Sequence, residues 1–334
     1  MNNSLKEKEI ILRRKRDFGE KINATFAFIS RNFAPLYKSI LFILGPIIAI
    51  TGASFGLLMQ KISNPETLLD GLDSNSIEDF YFGLFQMKEI LGMMFFGSIG
   101  YIIAICLIYG YLKLYLNGER DISTEMVWGE IKGNFLKVLI SVLGLFLFTL
   151  FISFILIFIF GIMITVTGAE DIGLILLLVF LFFGVFIYLI TSIAFIFVAQ
   201  VIENIGFLQA IGRSFKLIQN HWWSSLGFFV ILSLITSCTS YIFQLPMQIV
   251  NMINTFHTIQ NMEQGMNGSQ LPDFLMIFFG ILTNLGTYAT LPILYIGIAF
   301  QYFNLVEHKD QTGLKEQISA FGTLTDDEEE EEEY

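Results

Sequence analysis

Three short stretches of this chain repeat one pattern of apolar and polar positions, and each leads into a long apolar run. Phe207, Ile211, Phe215, Ile218 and Trp222 recur at spacings of 4, 4, 3 and 4, with Gln209, Arg213, Lys216 and Gln219 on the other faces. That is one stripe on an α-helix. A helix so divided, directly followed by an apolar run, is expected to lie on a membrane surface and feed a spanning helix. The same stripe stands 189 residues earlier as Phe18, Ile22, Phe26, Ile29 and Phe33, and a degenerate copy, Trp128, Ile131 and Phe135, lies between them.

The apolar runs place six spans at about 37–59, 91–115, 135–166, 172–201, 223–243 and 274–303, each long enough for the roughly 20 residues a bilayer requires. Pro35 resets the backbone before the first span, and Pro246 is expected to end the fifth. The first span holds Gly52 and Gly56, a spacing that lets another helix approach closely. Residues 60–90 and 247–273 read as two loops on one side. In the second, Met247, Met252, Met262 and Met266 surround His257, a set with thioethers suited to Cu(I). The stripe Ile249, Met252, Ile253, Phe256 and Ile259 instead favours an amphipathic cap over the outer surface.

Composition agrees with this pattern. Hydrophobic residues make up 54% of the 334 and charged residues only 15%, with a mean hydropathy of +0.66. Soluble domains carry about a quarter charged residues, so this chain has too little polar surface to cover a globule. The net charge of −11 is largely a terminal feature. Residues 326–333 supply eight of the thirty acids, and the balance without them is −3. Cys106 and Cys238 both sit in apolar runs and read as reduced, buried side chains.

Charge distribution sets the expected topology. Seventeen of the nineteen Lys and Arg residues fall on the side of the two termini, against Lys61 and Lys88 opposite. The positive-inside rule then puts both termini in the cytoplasm of a bacterial inner membrane. The domain plan is a basic arm at 1–16, a six-helix transmembrane domain at 17–307 and a cytoplasmic acidic tail at 308–334. The arm either binds anionic lipid headgroups or serves only as a topology signal.

The aligned stripes divide the transmembrane domain into three units, 18–117, 120–201 and 207–307, each a cytoplasmic amphipathic surface helix followed by a hairpin of spans. Asn32-Phe33, Asn134-Phe135 and His221-Trp222 occupy equivalent junctions, where a polar residue can cap a helix start and an aromatic can sit at headgroup depth. Duplication and convergence both account for the similarity. The fold class is therefore all-α and polytopic, with six transmembrane helices as three hairpins.

Two groups of residues carry candidate chemistry. The cytoplasmic ends of the even spans hold Lys113, Asn117 and Arg120; Gln200, Glu203 and Asn204; and Gln301, Asn304 and Glu307. If the hairpins converge, Lys113 is expected to pair with Glu203 or Glu307 in one polar cluster, functional or simply solvated. Spans five and six carry hydroxyl stripes, Ser233, Ser237 and Ser240 on one and Thr283, Thr287 and Thr290 on the other, with Asn284 beside them. These line a substrate path or pack helices together. Three histidines, with no zinc spacing, phosphate loop or nucleophile elbow, point away from catalysis, and no cofactor or metal is expected.

The segment Arg213-Ser214-Phe215-Lys216-Leu217-Ile218, followed by Trp222-Trp223, resembles a signature of uncharacterised bacterial six-span proteins. These are similar to the membrane domain attached to some glycerophosphodiester phosphodiesterases. The segment Phe300-Gln301-Tyr302-Phe303-Asn304-Leu305-Val306-Glu307 resembles the end of the same group. The resemblance implies the six-span fold. It does not bring the phosphodiesterase activity, whose catalytic domain is missing from this sequence. The leading expectation is a non-enzymatic scaffold or accessory component of a membrane complex, whose partners are membrane lipids and other membrane proteins, not nucleic acid. The alternative is a transporter or lipid-handling protein.

Overall fold

Asp17 opens the first helix. Its carboxylate accepts the Glu20 N–H at 2.7 Å, and the Glu20 carboxylate accepts the Asp17 N–H at 3.1 Å, a reciprocal cap that satisfies two otherwise unpaired donors. A computed structural model describes residues 10–62, 88–167, 172–264 and 272–311, and all the elements in them are helical. In order they are α1 (Phe18–Arg31), α2 (Phe33–Ile62), α3 (Lys88–Leu116), α4 (Thr124–Thr167), α5 (Ile172–Ile193), α6 (Ile196–Ile202), α7 (Phe207–Ile218), α8 (Trp222–Gln264) and α9 (Asp273–Lys309). Six apolar stretches are long enough to cross a membrane: Phe33–Gln60, Glu89–Leu116, Thr124–Ile162, Val179–Ile202, Trp222–His257 and Phe274–Lys309.

Helix α9 is the centre. It packs most extensively on α2, then on α8, while α2 also packs on α3 and α3 on α4. In the apolar window of α9, 39% of residues are buried by the rest of the chain; in that of α4, none is. The core is built from Leu36, Ile40, Leu44 and Ile48 of α2, from Ile105 to Leu112 of α3 and from Leu291 to Val306 of α9. Its largest enclosed side chains include Phe28, Tyr109, Tyr111, Phe195, Phe300 and Tyr302. All of these lie toward the face that carries both the start of α1 and the end of α9, here called the basic face.

Glycine decides how close α2 and α9 come. A Cβ on Gly280 would stand 2.3 Å from the Gly52 carbonyl oxygen and 2.7 Å from the Gly56 nitrogen. One on Gly56 would stand 2.3 Å from the Met276 carbonyl oxygen. The Gly52-x-x-x-Gly56 pair is thus used within the chain, backbone against backbone, as small residues are in membrane helix pairs.

The structure departs from the sequence expectations at several points. Residues 121–134 do not form a separate surface helix, because α4 runs unbroken from Thr124 for 44 residues, about 66 Å. Nothing in Gly133-Asn134-Phe135 interrupts its backbone ladder. The fourth span is not continuous; it breaks at Ala194 and Phe195 between α5 and α6. Pro246 does not end the fifth span. It lies inside α8, which continues to Gln264, so residues 247–264 are helix rather than loop. There the buried face is Met247, Val250 and Asn254, while Ile249, Met252, Ile253 and Phe256 are exposed. Both cysteines are free, but only Cys106 is buried; Cys238 is exposed on α8.

The junction asparagines work in the opposite sense from a helix start. The Asn32 amide donates back to the Phe28 carbonyl at 2.9 Å and its oxygen accepts from the Tyr111 hydroxyl at 3.1 Å. Asn134 donates back to the Glu130 carbonyl at 2.9 Å. Each closes the preceding turn. Part of the basic arm is also fixed: Leu12 is buried and the Arg16 backbone N–H reaches the Asn304 side chain at 2.8 Å. Residues 1–9, the stretches 63–87, 168–171 and 265–271, and the tail from 312 lie outside the described residues.

Candidate functional site: a polar layer and an intramembrane cleft

The polar residues at the ends of α3, α6 and α9 do not form one cluster. They fall into three. Lys113 pairs with Glu130 at 2.9 Å, not with Glu203 or Glu307. Glu130 lies on α4, beside α3, and also accepts from Asn134 at 3.1 Å. Lys113 is therefore satisfied by a neighbour that the one-cluster expectation omitted.

The second group centres on Glu203, just past α6. One of its oxygens accepts from the Arg213 guanidinium at 3.1 and 3.2 Å and from the Tyr302 hydroxyl. Arg213 also pairs with Asp310 beyond α9. Burial alone would lower the Arg213 pKa, but the hydrogen bonds it donates to Asp310 and Glu203 outweigh this and hold the pKa above its ordinary value. Arg213 thus ties together α6, α7 and α9. Asn204 adopts a positive φ of 55° at the turn that follows and accepts from Lys137 of α4.

The third group belongs to α1. Lys21 is only 2% exposed, yet its ammonium donates to Gln301 at 2.5 Å and lies 4.7 Å from the centre of the Phe228 ring. Gln301 in turn donates to Ser225 at 2.8 Å. The sequence reading missed Lys21, although its place off the apolar stripe of α1 marked it as facing elsewhere. Burial lowers its pKa from 10.5, against a smaller opposing pull from Asp17. The unfolded lysine then keeps its proton where the folded one has begun to lose it, so stability rises with pH between the two values. Thermal unfolding from about pH 8 to about pH 11 should show less of this rise in Lys21→Met than in the native chain. Equal slopes would remove the assignment. Gln200 is 1% exposed and its amide oxygen meets no donor. Glu307 is buried at 6% exposure among the same helix ends.

The hydroxyl stripes separate too. Thr283, Asn284 and Thr287 line a cleft of about 450 Å³ between α2, α3, α8 and α9. Ser233 and Ser237 do not; both are exposed on α8. Ser240 is buried and accepts from Gln244 at 3.3 Å. Ser240 stands about 60° around α8 from Ser237, which takes it from the exposed surface into the buried one. Thr51, Ser98, Tyr101, Gln244 and Tyr288 complete the polar part of the lining, and Phe55, Met93 and Met94 the apolar part. Sequence reasoning missed these five; Thr51 beside Gly52 and Tyr288 beside Thr287 were the available signals.

Every lining residue lies within a membrane-spanning stretch, nearer the face opposite the basic one. The cleft opens sideways past Met94, which is 62% exposed, and Tyr101, which is 41% exposed. Among the described residues, no charged side chain lines it. Several hydroxyls are spent on their own helices: Thr51 on Ile47, Ser98 on Met94 and Thr287 on Thr283. Two are not. Thr283, 8% exposed, and Tyr288, 2% exposed, have hydroxyls with no hydrogen-bond partner. Each costs about 1–3 kcal/mol if left unmet. Tyr288 is accommodated because residue 100 is glycine, where a Cβ would fall 2.2 Å from the hydroxyl.

The fold and its cleft define an all-α, multi-pass membrane protein. Among family models, curated proteins and solved structures, none matches the chain.

Proposed function

We propose that this protein takes an amphipathic molecule from the bilayer into the cleft between α2, α3, α8 and α9, in a lipid-handling or transport role with no catalysis of its own. The observation that carries this reading is a polar wall at membrane depth, open to the side, with two buried hydroxyls left without partners. In lipid no water is at hand to satisfy such groups, so a ligand is the natural partner. The proposed setting is a bacterial inner membrane with the basic face in the cytoplasm, supported by the seventeen-to-two division of Lys and Arg. In this setting the six spans act as three hairpins, and α1 and α7 lie on the cytoplasmic surface. Phe18 and Phe26 of α1, 42% and 40% exposed, then face the headgroup layer.

Gly97 provides the test. It lines the cleft, and a Cβ there meets nothing within 4 Å. Native mass spectrometry of the protein in mild detergent should show a bound bilayer amphiphile, and Gly97→Phe should lose it without lowering the unfolding temperature. A native chain that carries no such molecule, or a variant that keeps it, would count against the reading.

A second reading, an accessory component of a membrane complex, is favoured by α4, whose apolar window touches nothing in the chain closely enough to be buried. Recovery of the protein without any reproducible partner would argue against it.

A further inference from the structure

The chemistry of the cleft wall narrows what it holds, an inference that rests on the reading of the cleft given above. We infer that the ligand is an amphiphile with an uncharged polar end bearing carbonyl and hydroxyl oxygens, a diacylglycerol being the simplest example. Among the described residues, the polar part of the wall is hydroxyl and carboxamide groups. An ionised phosphate brought there would lose its water and find no cation among the described lining residues. Glu89, one turn beyond Met93 on α3, is the charged residue nearest along that helix. Being acidic, it repels an anion further.

The free groups say which polar atoms suit. The hydroxyls of Thr283 and Tyr288 are donors awaiting acceptors, the role of an ester or ketone oxygen. Asn284 and Gln244 direct their amide nitrogens to Gly280 at 3.4 Å and to Ser240 at 3.3 Å within their own helices. Their amide oxygens are acceptors for a ligand hydroxyl. Phe55, Met93 and Met94 line the way out, and methionine adapts to flexible chains. The polar end therefore sits against α9, and the apolar part passes along α3 toward the lipid.

The experiment compares dioctanoylglycerol with dioctanoyl phosphatidic acid, which differ only by the phosphate, on the full-length protein in detergent. Native mass spectrometry should show the glycerol lipid bound and the phosphatidic acid bound at least about tenfold more weakly. Tyr288→Phe and Thr283→Val should each weaken the glycerol lipid by about fivefold to tenfold, while the unfolding temperature of the lipid-free protein is not lowered, since each removes an unmet buried hydroxyl. Equal or tighter binding of phosphatidic acid would overturn the inference, and so would undiminished binding by both variants. The comparison of the two lipids needs no variant, so a variant that fails to fold does not rescue the idea. If neither lipid binds while a molecule displaced by Gly97→Phe is still retained, the ligand class is wrong and the cleft stands. If no Gly97-sensitive molecule is retained, the cleft reading itself has failed.

Discussion

Gly280→Ala should lower the unfolding temperature sharply, and Gly280→Leu should prevent a stable fold. The new Cβ would meet the Gly52 carbonyl oxygen at 2.3 Å and the Gly56 nitrogen and Cα at 2.7 and 2.9 Å. All three are backbone atoms, so no side chain can turn aside. Either α2 and α9 separate along their length or the methyl is not accommodated. Overpacking a well-packed site costs about 1–3 kcal/mol and more where the neighbours cannot move. The control is Gly45→Ala, also in α2, where a Cβ meets nothing within 4 Å. There alanine should stabilise by about 0.5–1 kcal/mol, because it restricts the unfolded chain and glycine does not. Gly52→Ala probes the same contact, with Ile281 Cα at 2.5 Å. Once the helices have been forced apart, the second substitution should cost little, so the double variant should fall well short of the sum. A Gly280→Ala protein as stable as the native one in detergent would show that the backbones are not in contact.

Arg213→Ala is the second large effect. Its guanidinium holds Glu203, at 3.1 Å, and Asp310 together, and so holds α6 and the end of α9 to α7. The paired side chains are about a quarter exposed, at 23%, 28% and 29%. The interaction therefore lies between an exposed pair, worth at most about 1 kcal/mol, and a fully buried one, whose rupture costs about 3–5 kcal/mol. We expect a loss of about 2 kcal/mol, measured by thermal unfolding. Arg213→Lys should restore less than half, because a point charge cannot serve both carboxylates through a planar fork. Tyr302→Phe removes another donor from the same Glu203 oxygen and should couple to Arg213 rather than add to it. Independent, additive losses would mean that these groups do not act as one unit.

The six spans were legible because length and apolarity report them without reference to the rest of the chain. The apolar windows Phe33–Gln60 and Phe274–Lys309 contain the expected spans 37–59 and 274–303. What failed was punctuation. Pro246 by itself predicts a stop, but a proline inside a long membrane helix is tolerated when the backbone around it is satisfied. Asn134-Phe135 was read as a boundary, but an asparagine that bonds back to the preceding turn leaves a helix free to continue. The stripe of α1 was legible as a stripe, yet it does not mark the buried face. Lys21, Thr25 and Phe28 are enclosed while Phe18 and Phe26 are not, since a bilayer and a protein core are both apolar and periodicity cannot tell them apart.

The candidate site divides in the same way. Thr283, Asn284 and Thr287 were singled out by spacing, and they do share a face on the cleft. Ser233 and Ser237 had the same kind of spacing and point away. Nothing local distinguishes a hydroxyl that faces α9 from one that faces outward. Lys113 was matched to acids on distant helix ends, while Glu130, only 17 residues on, was already in reach.

From the sequence alone came the all-α class, the number of apolar crossings and the uneven distribution of basic charge, because each is a sum over neighbouring residues. Tertiary structure alone decided that α9 is central, that Gly52, Gly56 and Gly280 meet, which polar groups pair and where a cleft remains. Those outcomes depend on the rotation and separation of helices far apart in the chain. A single missing Cβ at residue 280 or 100 changes them, while leaving every local pattern as it was.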